Sequence, residues 1–292
     1  MKIKTLSYLF ALIFLACQSK NDKIEIYTKL PEKLKETSGI SFSNEFNLLF
    51  VIEDSGNQNK IYGINKKEEI IKEITVENIK NTDWEDLTMD KKGNLYIGDF
   101  GNNKNVRKDL AIYKINSMSL NQDTIHNIEK ISFHYSEQKL FPPKKDSLLY
   151  DCEAFFEWNN NFYLFTKNRS KHFDGTSLIY KIPNSPGHHI AELIGKFKTC
   201  TNKTDCAITS ATISPDETKI VLLSRNKIWL FENFEKENLT NGTITEYNLD
   251  HSSQKEAICF KDSNSILIAD EREKKNDGNV YFISLKSLER KP

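Results

Sequence analysis

Five carboxylates in this 292-residue sequence stand at matching places in a recurring pattern. Glu85, Glu153 and Glu256 each open a short apolar run, and Asp54 and Asp99 each close the run that follows one. Carboxylates brought together from separate segments can hold a hard cation. Ca²⁺ takes about six to eight oxygen ligands from carboxylates, carbonyls, amides and water. The set suits Ca²⁺ better than zinc, because the sequence has no CxxC pair and no Cys/His ligand spacing. A second reading stands beside this one. Asp54-Ser55-Gly56-Asn57 and Asp99-Phe100-Gly101-Asn102 are also turn formers, and each Glu can pair with Arg169, Arg225 or Arg272. The sequence has no Gly-x-Ser-x-Gly elbow and no phosphate-cradling glycine loop. His172 and His251 fall in loops, where each is either a general base or simply solvated.

The elements that must position these residues form a repeat. Its clearest copy is a strand reading Ile61-Tyr62-Gly63-Ile64, Ile112-Tyr113-Lys114-Ile115 and Ile179-Tyr180-Lys181-Ile182, with weaker copies at Ile228-Trp229-Leu230-Phe231 and Val280-Tyr281-Phe282-Ile283. Each copy follows another apolar strand, and a third strand precedes that one, beginning at residues 38, 85, 153, 210 and 256. Turn formers such as Lys92-Gly93-Asn94 and Asn159-Asn160-Asn161 separate the first two strands. Half-exposed outer strands are predicted at 70–76, 128–135, 191–197 and 243–249. The last unit has no room for one, and 24–28 at the start of the mature chain supplies it.

The pattern predicts an all-β fold, a single β-propeller of four-stranded blades closed by an N-terminal strand. Five blades are counted; a sixth would need about forty further residues, the length of one blade repeat. The aromatic in each Ile-Tyr-x-Ile strand is assigned to packing between blades. Innermost and neighbouring strands run antiparallel, so the start of one lies beside the end of the next. That places Glu85, Glu153, Glu256, Asp54 and Asp99 around one mouth of the central channel. Carboxylates crowded there repel one another unless something cationic sits between them. Blade 4 carries Ser210, and blade 1 Ser38, where the others carry Glu.

The N-terminus carries Lys2 and Lys4, then an apolar run from Leu6 to Ala16 that is too short for a bilayer, which needs about 20 residues. Phe14-Leu15-Ala16-Cys17 has the form of a lipobox, so residues 1–16 are assigned as a lipoprotein signal peptide. Residues 17–23 then form a tether lipid-anchored at Cys17, and residues 24–292 the propeller. The implied location is exported, on the bacterial outer membrane or cell surface, with the membrane as a partner through that lipid. The 41 basic and 41 acidic residues balance, and no basic stripe points to nucleic acid. Cys200 and Cys206 flank a short polar loop and are candidates for a disulfide. Cys152 and Cys259 lie in apolar strands and read as buried thiols or a second bridge.

Glu36-Thr37-Ser38-Gly39-Ile40, Glu53 to Asn57, Asn81 to Leu87 and Gly93 to Asn103 together resemble a group of exported bacterial β-propeller lipoproteins of unassigned activity. More distantly the layout is similar to the SdiA-regulated periplasmic family and to regucalcin/gluconolactonase-like and paraoxonase-like propellers. Those enzymes hold a divalent cation on the propeller axis, and the resemblance implies Glu85, Glu153 and Glu256 for that role here. Three functions follow as expectations. The first is an envelope module that binds a ligand or partner over a cation at the acidic mouth. The others are a metal-dependent hydrolase of lactones, esters or phosphoesters, and a structural component of an envelope complex.

Overall fold

The computed structural model describes residues 24–272 and 277–288. The assigned signal peptide, the tether and Cys17 lie outside them. Local chemistry sets the strands. Leu48–Glu53 reads Leu-Leu-Phe-Val-Ile-Glu and is buried on both faces, as a strand sandwiched between neighbouring sheets must be. Outer strands such as Thr243–Asn248 instead mix exposed and half-buried residues. The hairpin closed by the Trp158–Asn161 pair turns through Asn159 and Asn160, both at positive φ (53° and 60°). A two-residue turn of this kind matches the right-handed twist of its strands, and Asn tolerates the conformation it requires.

The strands build antiparallel four-stranded modules. The first comprises Thr37–Ser43, Leu48–Glu53, Lys60–Ile64 and Ile70–Val76, with the two-residue strand Thr124–Ile125 added in parallel at its outer edge. The second comprises Trp84–Met89, Leu95–Asp99, Ala111–Ile115 and Glu129–Tyr135. Asp151–Trp158, Asn161–Lys167, Thr176–Pro183 and Gly187–Lys198 form the third. Ile208–Ile213, Lys219–Ser224, Lys227–Glu232 and Thr243–Asn248 form the next. The last is Lys255–Asp262, Ser265–Asp270 and Asn279–Ser284, completed by Glu25–Lys29 from the chain start. The innermost strands touch in chain order, and 255–262 returns to touch 37–43, so the ring is closed. Closure through the N-terminal strand leaves no open seam between first and last modules.

One feature was not visible in the pattern. The long strand Gly187–Lys198 pairs by its first half with the neighbouring outer strand, Ile131 to Tyr135 in parallel with Gly187 to Ala191. Its second half pairs with its own module, so two modules share one eight-stranded sheet.

Apolar clusters fill the spaces between adjacent modules. Tyr180 packs with Phe133, Phe155 and Phe162 in one, and Tyr62, Tyr113 and Trp229 take equivalent places in others. Near the axis the packing is backbone to backbone. A Cβ added to Gly39 would lie 2.6 Å from the Leu87 nitrogen and 2.8 Å from the Asp86 carbonyl carbon. Asp86, fully buried, ties the ring together. It accepts from Leu87 N (2.9 Å), Phe155 N (3.1 Å), Ser210 Oγ (3.0 Å) and Ala211 N (3.4 Å), and Ser210 Oγ accepts from Ile258 N (3.1 Å). Four innermost strands therefore meet through one carboxylate and one hydroxyl.

Candidate functional site

Every innermost strand carries a break in its ladder at the same step. The register skips one residue between Thr37 and Gly39, Trp84 and Asp86, Cys152 and Ala154, Ile208 and Ser210, and Lys255 and Ala257. The skipped residues are Ser38, Glu85, Glu153, Thr209 and Glu256. A bulge of this kind frees one residue from pairing and re-aims its side chain. All five line one cavity of about 190 Å³. The strand starts therefore align at 209, not 210, in the fourth module. Ser210 does not occupy the Glu position, because it points into the tie with Asp86.

The rest of the lining is Asp54, Asn103, Lys167, Arg169, Gln254 and Glu271, so no apolar residue lines the cavity. Carboxylate oxygens gather in two overlapping groups, Asp54–Asp83–Glu85 and Glu85–Asp151–Glu153, each with its ligand atoms within 4.8 Å of one another. The two groups differ in charge balance. Glu153 pairs with Lys167 (2.9 Å) and Arg169, and Asp151 pairs with Arg169 and accepts from Asn102 N (2.6 Å). Asp54 accepts from the Ser55 amide and side chain, and no described basic side chain pairs with it. Glu85, 8% exposed, makes no hydrogen bond or ion pair with any described residue. Ser38 Oγ, in the same cavity, is buried without a partner. Gly101 permits the crowding, since a Cβ there would lie 2.1 Å from Glu85 Oε1 and 2.5 Å from Asp83 Cγ.

Burial, then like charge, sets the electrostatics. Burial pushes Glu85 well above the carboxylate range, and Glu153, Asp151, Asp54 and Asp83 add to it. Burial raises Asp54 to about 6 and Asp83 above its usual value. Glu271 rises to about 8, through burial and then the charges of Glu256 and Asp54, and it accepts from Gln254. Glu256 is raised by burial although Lys167 opposes the shift. Glu153 alone goes the other way: burial works against its charge, but Lys167 and Arg169 outweigh burial. The cavity is an acidic pocket whose Glu153 side carries paired counter-charges, whereas on the Asp54 side Arg107, itself paired with Asp99, only opposes the rise of Asp83.

Of the carboxylates singled out in the sequence, Glu85, Glu153, Glu256 and Asp54 line this cavity. Asp99 does not. It is buried against Arg107 (2.9 Å) and accepts from Asp83 N (3.2 Å), so its turn places it as a support for the Asp83 segment. His172 is exposed beside Asp146, and His251 packs on Tyr281. Neither lines the cavity, and no base is drawn from them. Asp83, Asp151, Lys167, Arg169 and Glu271 also belong to the site; strand polarity puts them at the same mouth, but they are not among the five carboxylates chosen as cation ligands. Their signal was position, since each lies within two residues of an innermost-strand start or a neighbouring-strand end. Cys200 and Cys206 are joined in a disulfide, and Cys152 and Cys259 are buried thiols.

No protein-family model and no curated protein matches this sequence. Solved structures do. A glucose dehydrogenase superposes with a TM-score of 0.52 at 6% identity, over 89% of this chain and 99% of that one. The PQQ-bound form of an aldose sugar dehydrogenase from Streptomyces coelicolor gives 0.48 at 7% identity, over 89% and 97%. Hydrazine synthase from Kuenenia stuttgartiensis gives 0.42 at 13%, over 85% of this chain and 59% of that one. At such identities the likeness to the glucose dehydrogenase extends to the fold alone: the chain is a β-propeller.

Proposed function

We propose that this propeller is an envelope binding module, anchored through lipid on Cys17, that holds a divalent cation at Asp54, Asp83 and Glu85. The observation that carries the reading is Glu85, a buried carboxylate with no described partner, set among four other carboxylates. An ionised group in that position is costly unless it is paired or coordinates a metal. The Asp54–Asp83–Glu85 group is the better-suited half, because Lys167 and Arg169 already neutralise Asp151 and Glu153. Its all-oxygen donors, with Ser38 in the same cavity, favour Ca²⁺ over softer metals. At about 30 Å³ of liquid volume per water, the cavity has room for a hydrated ion or a small polar ligand. An acyl chain would meet no apolar wall, which counts against lactone and ester hydrolysis.

The test is thermal unfolding of chelator-treated, dialysed protein with added CaCl₂, and again as Asp83→Asn. Ca²⁺ should raise the wild-type midpoint, with a much smaller rise in the variant. If no divalent cation moves the wild-type midpoint, the axial site does not exist.

A further inference from the structure

Three loops on the face that carries the acidic mouth pack into one lobe: residues 100–110, 136–150 and 168–175. Hydrogen bonds between the loops make the lobe continuous. Gln138 Nε2 donates to Asn105 O (2.8 Å), Tyr150 N to Asn105 Oδ1 (2.8 Å) and Lys171 N to Lys145 O (2.9 Å). The lobe gathers Lys104, Lys108, Lys139, Lys144, Lys145 and Lys171, all exposed. None of the six pairs with a described carboxylate. The acids of these loops are engaged elsewhere: Asp109 with Arg107, Asp146 beside His172, Asp174 with Lys198, and Glu137 accepting from the Tyr180 hydroxyl. Among these lysines stand apolar side chains that a solvated surface does not need. Leu140 is 58% exposed and Val106 43%, and Phe141 carries the Lys108 ammonium 4.7 Å over its ring.

We infer that this lobe is a docking surface for an anionic lipid bilayer. Lysines that lack an internal carboxylate keep their charge for an external one, and lipid headgroups present such charge as a plane. The exposed Leu140 and Val106 would enter the interface between headgroup and acyl chain, as apolar residues do beside a basic face. That apolar component favours a bilayer over a soluble polyanion, which offers the lysines charge but the leucine nothing. The lysines come from three separated segments, so no basic run appears in the sequence and the chain-wide balance of charge hides them. The inference does not depend on a cation at the mouth.

The test is co-sedimentation of the full chain carrying Cys17→Ser, which removes any lipid at that position. The probes are vesicles of phosphatidylcholine alone and of equal parts phosphatidylcholine and phosphatidylglycerol. Binding is expected only to the anionic vesicles. It should fall steeply as salt rises from about 0.1 M to about 1 M, where the Debye length shrinks from about 10 Å to about 3 Å. Each lysine near an anionic surface is worth about a fivefold change in partitioning. Lys104→Gln with Lys108→Gln and Lys144→Gln should therefore weaken binding by two orders of magnitude, about fivefold for each residue. Lys67→Gln with Lys92→Gln, on turns outside the lobe, should leave it unchanged. Leu140→Gln should weaken vesicle binding while leaving heparin binding as it was. Binding to heparin with none to anionic vesicles would replace the bilayer by a soluble polyanion and overturn the inference. Equal loss in the control pair would overturn it too. Unfolding midpoints of each variant show whether a loss is one of folding.

Discussion

Glu85→Gln should make the cation-free protein more stable, not less, and should remove its response to calcium. Glutamine keeps the length and volume of the side chain and deletes its charge. In the native chain Glu85 has no described partner, and its oxygens lie within 4.8 Å of those of Asp54 and Asp83. At an effective dielectric near 20, two unit charges at such a separation repel by about 3.5 kcal/mol. Asp54, raised to about 6, is ionised at the pH 8 of the assay, so its charge faces Glu85 in full. If Glu85 instead keeps a proton, holding it above its ordinary pKa costs about 1.4 kcal/mol per pH unit. The folded state therefore carries a penalty of about 3 to 5 kcal/mol at pH 8 that glutamine relieves. For a chain of this size that is a rise of about 5 °C or more in the unfolding midpoint. Calcium at 100 times its Kd should add about 2.7 kcal/mol to the native protein and far less to the variant. The assay is calorimetric or fluorescence-monitored unfolding at pH 8, with chelator and with CaCl₂. A variant less stable than native in chelator would mean that Glu85 makes a stabilising bond, and an unchanged calcium response would remove it from the ligand set.

Two further outcomes follow from the same structure. Asp54 (about 6) and Glu271 (about 8) have folded-state pKa values above their ordinary ones, so folding takes up protons between about pH 4 and pH 8. Stability of the chelated protein should fall as pH rises through that window, and calcium should flatten the fall. Urea midpoints at successive pH values, flat in chelator, would contradict this. Gly39→Ala should cost about 3 kcal/mol, because its Cβ meets the backbone of a neighbouring strand, which cannot rotate aside. A urea-denaturation loss below about 1 kcal/mol, the low end for overpacking, would mean that the innermost strands separate easily.

Much of this molecule is readable in its sequence, and the limits are physical. Strand identity follows from apolar runs and Asn/Gly turns, so the Ile-Tyr-x-Ile strands and the closing strand Glu25–Lys29 were legible. Four of five chosen carboxylates line the cavity because strand polarity alone puts innermost starts beside neighbouring ends. Asp99 was misplaced because the same Asp-x-Gly-Asn pattern serves a turn, and only Arg107, eight residues on, shows which way the side chain goes. Ser210 was aligned one step late because a bulge inserts a residue that no periodicity reveals. The parallel joint between Ile131 to Tyr135 and Gly187 to Ala191 had no signal, since parallel pairing between outer strands leaves no turn to mark it.

The bulges explain why the mouth of this ring can hold anything at all. Freed from the ladder, each of the five skipped residues points toward shared space without unpairing its neighbours. Three of them are long acids, and two, Ser38 and Thr209, are short. A ring of five glutamates would fill the cavity with its own side chains and with uncompensated charge. The short pair opens the space, and the placement of Lys167 and Arg169 decides where in it a cation is wanted. Both bases close on Glu153, one of them also on Asp151, which leaves Asp54, Asp83 and Glu85 as the unneutralised edge. Exchanging side chains at the bulges would therefore change what the mouth binds while leaving the Asp86 tie, and with it the ring, intact.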